Sequence, residues 1–346
     1  YVKDGLNLPY KVKGRNKRHI TLDLSKPQGR DIFHRLVADA DVVAENFSPG
    51  TMEGWGHGWE TLRSINPRLI FCRISPFGQT GPYKNRRIDG RGAEAFGGLA
   101  YLDGEPQREP LHSQADVGGT IAGIWAAYGT ILALLHRDRQ GGKGQVIDVG
   151  LYEAIYRQQT GQIPAYSASG VASKRSGSRK SGGIPWVDTH ETKDGGFFTY
   201  SAVTRASMRD QMLAMNMFLD PRFKDFPSAS QNANDYHAEA KKWMKARTLD
   251  EVDDAFQRYE CSSSPVMNAD SLIDNPHLVA REDVITVDDP DLGPIRMQGI
   301  VPKFSKAPGK VRWSGERPGT RNEEVYGQLL GLGKKELAEL QQAGVI

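Results

Sequence analysis

The sequence predicts an α/β protein, a parallel sheet with helical crossovers joined to a smaller α+β domain. Three observations lead there. Strand-like and helix-like segments alternate through about the first 150 residues, a polar Ser/Gly/basic stretch interrupts at residues 167–183, and a strand with several polar helices follows it.

In chain order, His19–Leu24 (HITLDL) alternates apolar and polar residues and predicts a strand. Ser25-Lys26-Pro27 opens a helix through Ala38, with Ile32, Leu36 and Val37 as its apolar stripe. Asp41–Ala44 is a second short apolar run. A helix over Trp59–Ile65 is stopped by Asn66-Pro67, and Leu69–Ile74 is a third strand, stopped by Ser75-Pro76. Strand, helix, strand, helix, strand is the signature of a parallel sheet. From Ile121 to Leu135, large apolar residues recur at three- and four-residue spacing and predict a helix. Gln145–Val149 is a fourth strand, entered through Gly141-Gly142-Lys143-Gly144, and Leu151 begins another helix. Past the polar stretch, the sequence predicts a strand over Gly196–Ala202 and helices over Asp235–Arg247 and Leu249–Tyr259. Gly293–Lys310 reads as loop, and helices over Asn322–Leu330 and Lys334–Ala343 close the chain.

With 346 residues, 38% of them hydrophobic, the chain can bury a sizeable core and form two domains. A net charge of +3 suits a protein that holds a small polyanion better than one that wraps duplex DNA. The basic run SKRSGSRK carries no aromatic residue to stack on bases, so nucleic acid is not an expected partner. Cys72 and Cys261 lie far apart with no CxxC spacing, which argues against a disulfide framework or a thiolate metal site and for a reducing cytoplasm. Tyr1–Asn16 is polar, without the apolar core of a secretory leader. Thr120–Leu135 is short for a bilayer, which asks for about 20 residues. It is read as a buried helix, and no membrane association is expected.

The GxxxxGK[ST] phosphate loop, HExxH and the GxSxG elbow are absent, and the eight histidines are scattered singly. What remains is four segments in order: Gly14-Arg15-Asn16-Lys17-Arg18, Glu45-Asn46-Phe47-Ser48-Pro49-Gly50, Ser75-Pro76-Phe77-Gly78-Gln79-Thr80-Gly81-Pro82, and Gly144 to Glu153 (GQVIDVGLYE). Three of them fall at the carboxyl end of a predicted strand, where ligands dock in parallel sheets. On spacing alone, Lys17 reads equally as a surface charge, Pro49-Gly50 as a turn, and Glu153 as a first-turn residue favoured by the helix dipole.

In that order and spacing the segments resemble the class III CoA-transferases, the group of formyl-CoA transferase and carnitine CoA-transferase that also includes α-methylacyl-CoA racemase. The similarity runs from about Tyr10 to Ile346 and takes in Ala307-Pro308-Gly309 and the closing LQQAGVI. The resemblance implies a Rossmann-like large domain built from both termini, a small domain between, and an interlocked homodimer. The domain boundaries it suggests are 1–155 and 313–346 for the large domain, 190–280 for the small one, and linkers at 156–189 and 281–312. It also implies a strand-helix-strand unit preceding the present first residue.

For the site, the resemblance implies that Asn16 and Lys17 contact the CoA phosphates. Asn46 and Phe47 would line the pantetheine and adenine path, and Ser75 and Phe77 form a further CoA-contacting stretch. Gly182 and Gly183 would belong to a glycine loop over the reaction centre. Relatives often place an arginine where this chain has Gly54. The carboxylate nucleophile, an aspartate in the family, is here Glu153. It would attack the acyl-CoA carbonyl and pass through a mixed anhydride to an enzyme-bound CoA thioester. Acyl-CoA and a carboxylic acid are then the substrates, with no resident cofactor or metal. The racemase branch needs a histidine just before Asp89, and this chain has Ile88 there. A catalytically silent CoA-binding subunit remains the alternative, favoured by glutamate at 153 and Gly54.

Overall fold

The computed structural model describes residues 2–3, 5–179 and 186–346. The chain divides into two compact units. Tyr1–Gln79, Ala126–Asp148 and Asn268–Ile346 form the first; Thr80–Trp125 and Val149–Met267 form the second.

A three-stranded sheet, in the first unit but for the last two residues of its third strand, has Ile70–Ser75 between Val42–Glu45 and Val146–Gly150. Val42–Glu45 pairs with the central strand in parallel, Val42 opposite Ile70 and Glu45 opposite Arg73. Ile70, Phe71 and Cys72 are fully buried, which explains why this strand reads as an unbroken apolar run rather than an alternating one. The helix Pro27–Asp39 begins at a proline, whose missing N–H costs nothing in the first turn, and buries Ile32 and Val37. Asn66 ends the helix Trp59–Ile65, and its side-chain amide donates to the carbonyls of Val37 and Ala40, tying the two helices together. Gly144 enters the third strand so close to the neighbouring chain that a Cβ there would lie 1.8 Å from the Leu69 carbonyl oxygen. Only glycine fits.

Segments far apart in sequence close this unit. Ile32 shares a core with Val325, Tyr326, Leu332, Leu340 and Val345. The buried Lys11 ammonium lies 2.9 Å from Asp289 and 2.7 Å from Asp291. His19–Leu24 forms no strand, contrary to its alternating pattern. Its backbone is bound instead by the C-terminal segments, with the Asp23 N–H donating to Val345 O and the Thr21 N–H to Asn322 Oδ1, while Ile20 and Leu22 pack on the shared core. Gly293–Lys310 is not all loop either. Val284–Asp289 and Gly293–Gln298 form an antiparallel hairpin, its turn closed by a left-handed Gly293.

The second unit carries an antiparallel sheet of Val187–Glu191, Phe197–Ser201 and Ser263–Pro265. Phe198, Tyr200, Tyr236 and Phe256 fill its core with Trp186 and several methionines. Ala233–Lys245 and Leu249–Arg258 match the predicted helices; the latter starts with Thr248 and Glu251 bonding reciprocally to each other's backbone N–H.

The helix Val117–Arg139 is longer than its apolar stripe suggested, and it is not the buried helix expected. Its buried face is made of Ala122, Ala126 and Ala133, whereas Ile124 and Ile131 are 63% and 64% exposed and Leu132 and Leu135 are exposed as well. Small side chains let the backbone approach the rest of the chain, leaving the large ones pointing outward. By length and composition it is the one helix among the described residues that could cross a membrane.

Candidate active site

Glu153 sits in the first turn of the helix Leu151–Gln158, immediately after the strand Val146–Gly150. The strand ends because Gly150 turns into the helix, and Glu153 Oε2 reaches back to accept the Gly150 N–H at 2.8 Å. The side chain is exposed. Ala154 and Ile155 beside it are buried, and Ile155 lies so close to Gly97 that a Cβ there would approach it to 2.6 Å. Phe96 meets Tyr152 edge-on at 5.2 Å, so the carboxylate is carried on a helix fixed by its neighbours.

In the first unit, Glu45 ends its strand buried. Its Oε1 accepts from Arg73 Nε at 2.7 Å and its Oε2 accepts the Phe47 N–H at 2.6 Å. Arg73 also forks onto Glu53 at 2.6 and 3.1 Å, and that hydrogen bonding holds the Glu53 carboxyl below its ordinary range. This ion-pair network fixes the turn that presents Asn46 and Phe47. Both are exposed, with the Phe47 ring edge-on to Trp55 at 5.1 Å and a left-handed Gly50 completing the bend. A side chain at position 54 would face open space.

Ser75 ends the central strand and Phe77 follows it. The pairing of Glu45 with Arg73 means that these residues and the Asn46-Phe47 turn leave the sheet at the same edge. Both are buried, and Ser75 Oγ has no hydrogen-bond partner among the described residues. The Gln79 N–H donates to both oxygens of Asp148, tying this loop to the third strand, and Gln79 Nε2 is buried without a partner among the described residues.

Asn16 adopts a left-handed backbone, φ 58°, and its side-chain amide makes two hydrogen bonds to the backbone. Its Nδ2 donates to Lys310 O and its Oδ1 accepts the Arg312 N–H, both at 2.7 Å. Lys17 Nζ donates to the Lys13 carbonyl and is exposed. A cavity of about 390 Å³ opens here, lined by Lys13, Arg15, Asn16 and Lys17 with Ile300 and Val311. A neighbouring one of about 540 Å³ shares the last two residues and adds Lys303, Lys310 and Arg312. The larger cavity also has Glu282 and Asp288 on its wall, whereas the smaller is lined by cations alone among its charged residues, which suits a phosphate-rich ligand.

Gly182 and Gly183 lie outside the described residues. Both cysteines are buried, and burial pushes the Cys72 thiol up and the Cys261 thiol to about 11, so neither offers a thiolate nucleophile. Sequence reasoning missed the Arg73 network and the Asp148–Gln79 tie. A lone arginine or aspartate on a strand carries no signal until its partner is known. It also missed a buried group in the second unit, Asp188, His190 and His237.

The model of CoA-transferase family III matches residues 1–321. Succinyl-CoA–D-citramalate CoA-transferase of Chloroflexus aurantiacus is 36% identical over 345 residues, spanning 99% of this chain and 85% of the relative. Formyl-CoA:oxalate CoA-transferase of Rhodopseudomonas palustris is 27% identical over 367 residues, spanning 98% and 84%. The crystal structure of a CAIB/BAIF family protein from Brucella suis superposes with a TM-score of 0.83 at 27% identity, covering 94% of this chain and 86% of that one. The chain belongs to CoA-transferase family III. It is an enzyme of the CoA-transferase type, working on CoA thioesters and carboxylates.

Proposed function

We propose that this enzyme moves CoA from a succinyl-CoA-like donor to a short hydroxy-dicarboxylate, with Glu153 as the covalent carrier. The observation that carries the reading is Glu153 itself, exposed at a strand-to-helix junction with its carboxylate oriented by a single backbone hydrogen bond. The relatives that act on succinyl-CoA with D-citramalate or L-malate support the substrate class.

A Glu153 oxygen attacks the thioester carbon, the C–S bond breaks, and CoA thiolate leaves behind a mixed anhydride. The thiolate then attacks the glutamyl carbonyl, releasing the donor acid and forming a glutamyl-CoA thioester. The acceptor carboxylate attacks that thioester and again expels thiolate. Attack of the thiolate on the acceptor's carbonyl gives the new acyl-CoA and restores the Glu153 carboxylate. Every bond broken is matched by one formed, so the sequence needs no redox partner. Lys17 and the basic cavity around it would hold CoA phosphate, and the Asn46-Phe47 turn and Ser75 would line the rest of the path taken by CoA.

We read the assembly as a homodimer in the cytoplasm. The uncovered apolar face of Val117–Arg139 supports a protein partner there, and the two unpaired cysteines support a reducing compartment. A second reading, a subunit that depends on a different partner chain, is favoured by relatives named as alpha and beta subunits of succinyl-CoA–L-malate CoA-transferase.

Incubation with succinyl-CoA, followed by hydroxylamine or borohydride and peptide mass spectrometry, should find modification at Glu153. Unmodified Glu153 in a protein that turns over would sink the covalent route; unmodified Glu153 in a protein without turnover supports the subunit reading.

A further inference from the structure

We propose that Asp188, His190 and His237 form a binding site for a divalent transition-metal ion of the zinc type, with the Arg179 guanidinium standing in the cation's place when no ion is bound. The site lies within the second unit.

Asp188 and His190 are two apart on the strand Val187–Glu191 and so share a face. His237 comes from the helix Ala233–Lys245. The three side chains are 4%, 7% and 4% exposed. Asp188 Oδ2 lies 2.9 Å from His237 Nδ1 and 3.5 Å from His190 Nε2, and all three candidate donor atoms fall within 4.8 Å of one another. Zinc bound tetrahedrally at about 2.0–2.1 Å holds its ligand atoms about 3.3–3.4 Å apart. The two separations to Asp188 bracket that value, and the two imidazoles would adjust to complete the set.

Two features set this group apart from an ordinary buried ion pair. First, His237 Nδ1 is buried and lies 2.9 Å from Asp188 Oδ2 off hydrogen-bond geometry, with no other partner among the described residues. A metal ion bound by both atoms would use this close, poorly aligned contact better than the contact itself does. Second, the two carboxylate oxygens are divided in use. Oδ1 accepts from Ser178 Oγ and the Thr189 N–H, an orienting shell, whereas Oδ2 faces both imidazoles and Arg179 Nε at 3.2 Å. The Arg179 side chain is 46% exposed, so it can swing to solvent and vacate its place. Tyr200 OH, 3.3 Å from His190 Nε2, is the nearest competitor for that nitrogen.

His₂Asp donors suit zinc, with cobalt(II) as its visible surrogate. The purified full chain would be stripped with chelator, desalted, and titrated with zinc alone by calorimetry and elemental analysis. One zinc per chain is expected. Arg179→Ala, an exposed substitution, should tighten binding by about tenfold by removing the competing cation. His190→Gln and His237→Gln should abolish binding, and cobalt(II) should give the intense visible absorption of a tetrahedral centre. Should the histidine variants fail to fold, the Arg179→Ala titration and the cobalt spectrum decide alone. Absence of stoichiometric zinc in both wild type and Arg179→Ala would overturn the proposal. So would zinc retained in folded histidine variants, or an octahedral cobalt spectrum.

Discussion

Glu153 accepts the Gly150 N–H at 2.8 Å, so the carboxylate proposed to carry the acyl group also caps the helix that presents it. Both tasks use the same oxygens, but only one needs a negative charge. Glu153→Gln keeps an oxygen that can accept the Gly150 N–H, as glutamine does in natural capping boxes. Unfolding stability should therefore fall by less than about 1 kcal/mol while turnover drops to background, by 10³-fold or more. Glu153→Asp keeps the charge but shortens the reach, and a misplacement of about an ångström should cost roughly 10²-fold in kcat. Steady-state transfer assays beside urea melts read both effects.

Asn16 and Lys17 are neighbours with different employment. Asn16 bridges to Lys310 and Arg312, so Asn16→Asp, which loses the donor to Lys310 O, should destabilise the chain by about 1–2 kcal/mol. Lys17→Ala, at an exposed charge on the basic cavity, should leave stability nearly unchanged and raise KM for the CoA donor several-fold. An unchanged KM would remove Lys17 from the phosphate contacts.

Gly144→Ala places a methyl against the Leu69 carbonyl. Overpacking of this kind costs about 1–3 kcal/mol, and the shift would fall on the strand that leads to Glu153. The expected result is a lowered denaturation midpoint with a loss of activity larger than the unfolded fraction accounts for.

Acid should destabilise the metal-free chain before any carboxylate titrates. The folded-state value of His190 is about 4, against 6.5 for an unperturbed imidazole. Between those values the unfolded chain holds the proton and the folded chain does not, so stability falls as pH drops from about 6.5 to about 4. At about 1.4 kcal/mol per pH unit the loss is up to about 3 kcal/mol. Asp188, whose burial is outweighed by its His237 and Ser178 contacts, is held well below its ordinary range and extends the loss to lower pH. Urea titrations at pH 7 and pH 4.5 measure it, and His190→Gln should flatten the difference.

Ile131→Glu tests the oligomer. Ile131 is 64% exposed, so a charge there costs the isolated chain little. If a partner covers this face, sedimentation should show dimers becoming monomers. A monomeric wild type would discard the homodimer.

The parallel core was legible because its cues are local. Periodicity and proline stops located the helix Trp59–Ile65 and the central strand, and motif order pointed to Glu153 and the Asn46-Phe47 turn. What failed depended on partners. HITLDL has strand alternation, but the C-terminal segments occupy its hydrogen-bonding groups. The Ile121–Leu135 stripe gave the helix, while its burial depended on alanines that a search for large apolar residues passes over. In the Val187–Glu191 and Phe197–Ser201 hairpin, the connecting Asp194-Gly195 is a readable turn signal, yet the polar first strand hid it. Asp188, His190 and His237 meet only through tertiary packing, so no spacing rule could have joined them.

The shared core of Ile32 with Tyr326 and Val345, and the grip of Asp289 and Asp291 on Lys11, carry a consequence for biosynthesis. As the nascent chain emerges from the ribosome, its early segments must wait, unsatisfied, for the last ones. The second unit contains no residue beyond Met267 and can consolidate first. Shortening the chain by a handful of C-terminal residues should therefore expose the opening segments to proteolysis, while leaving the middle of the polypeptide protected.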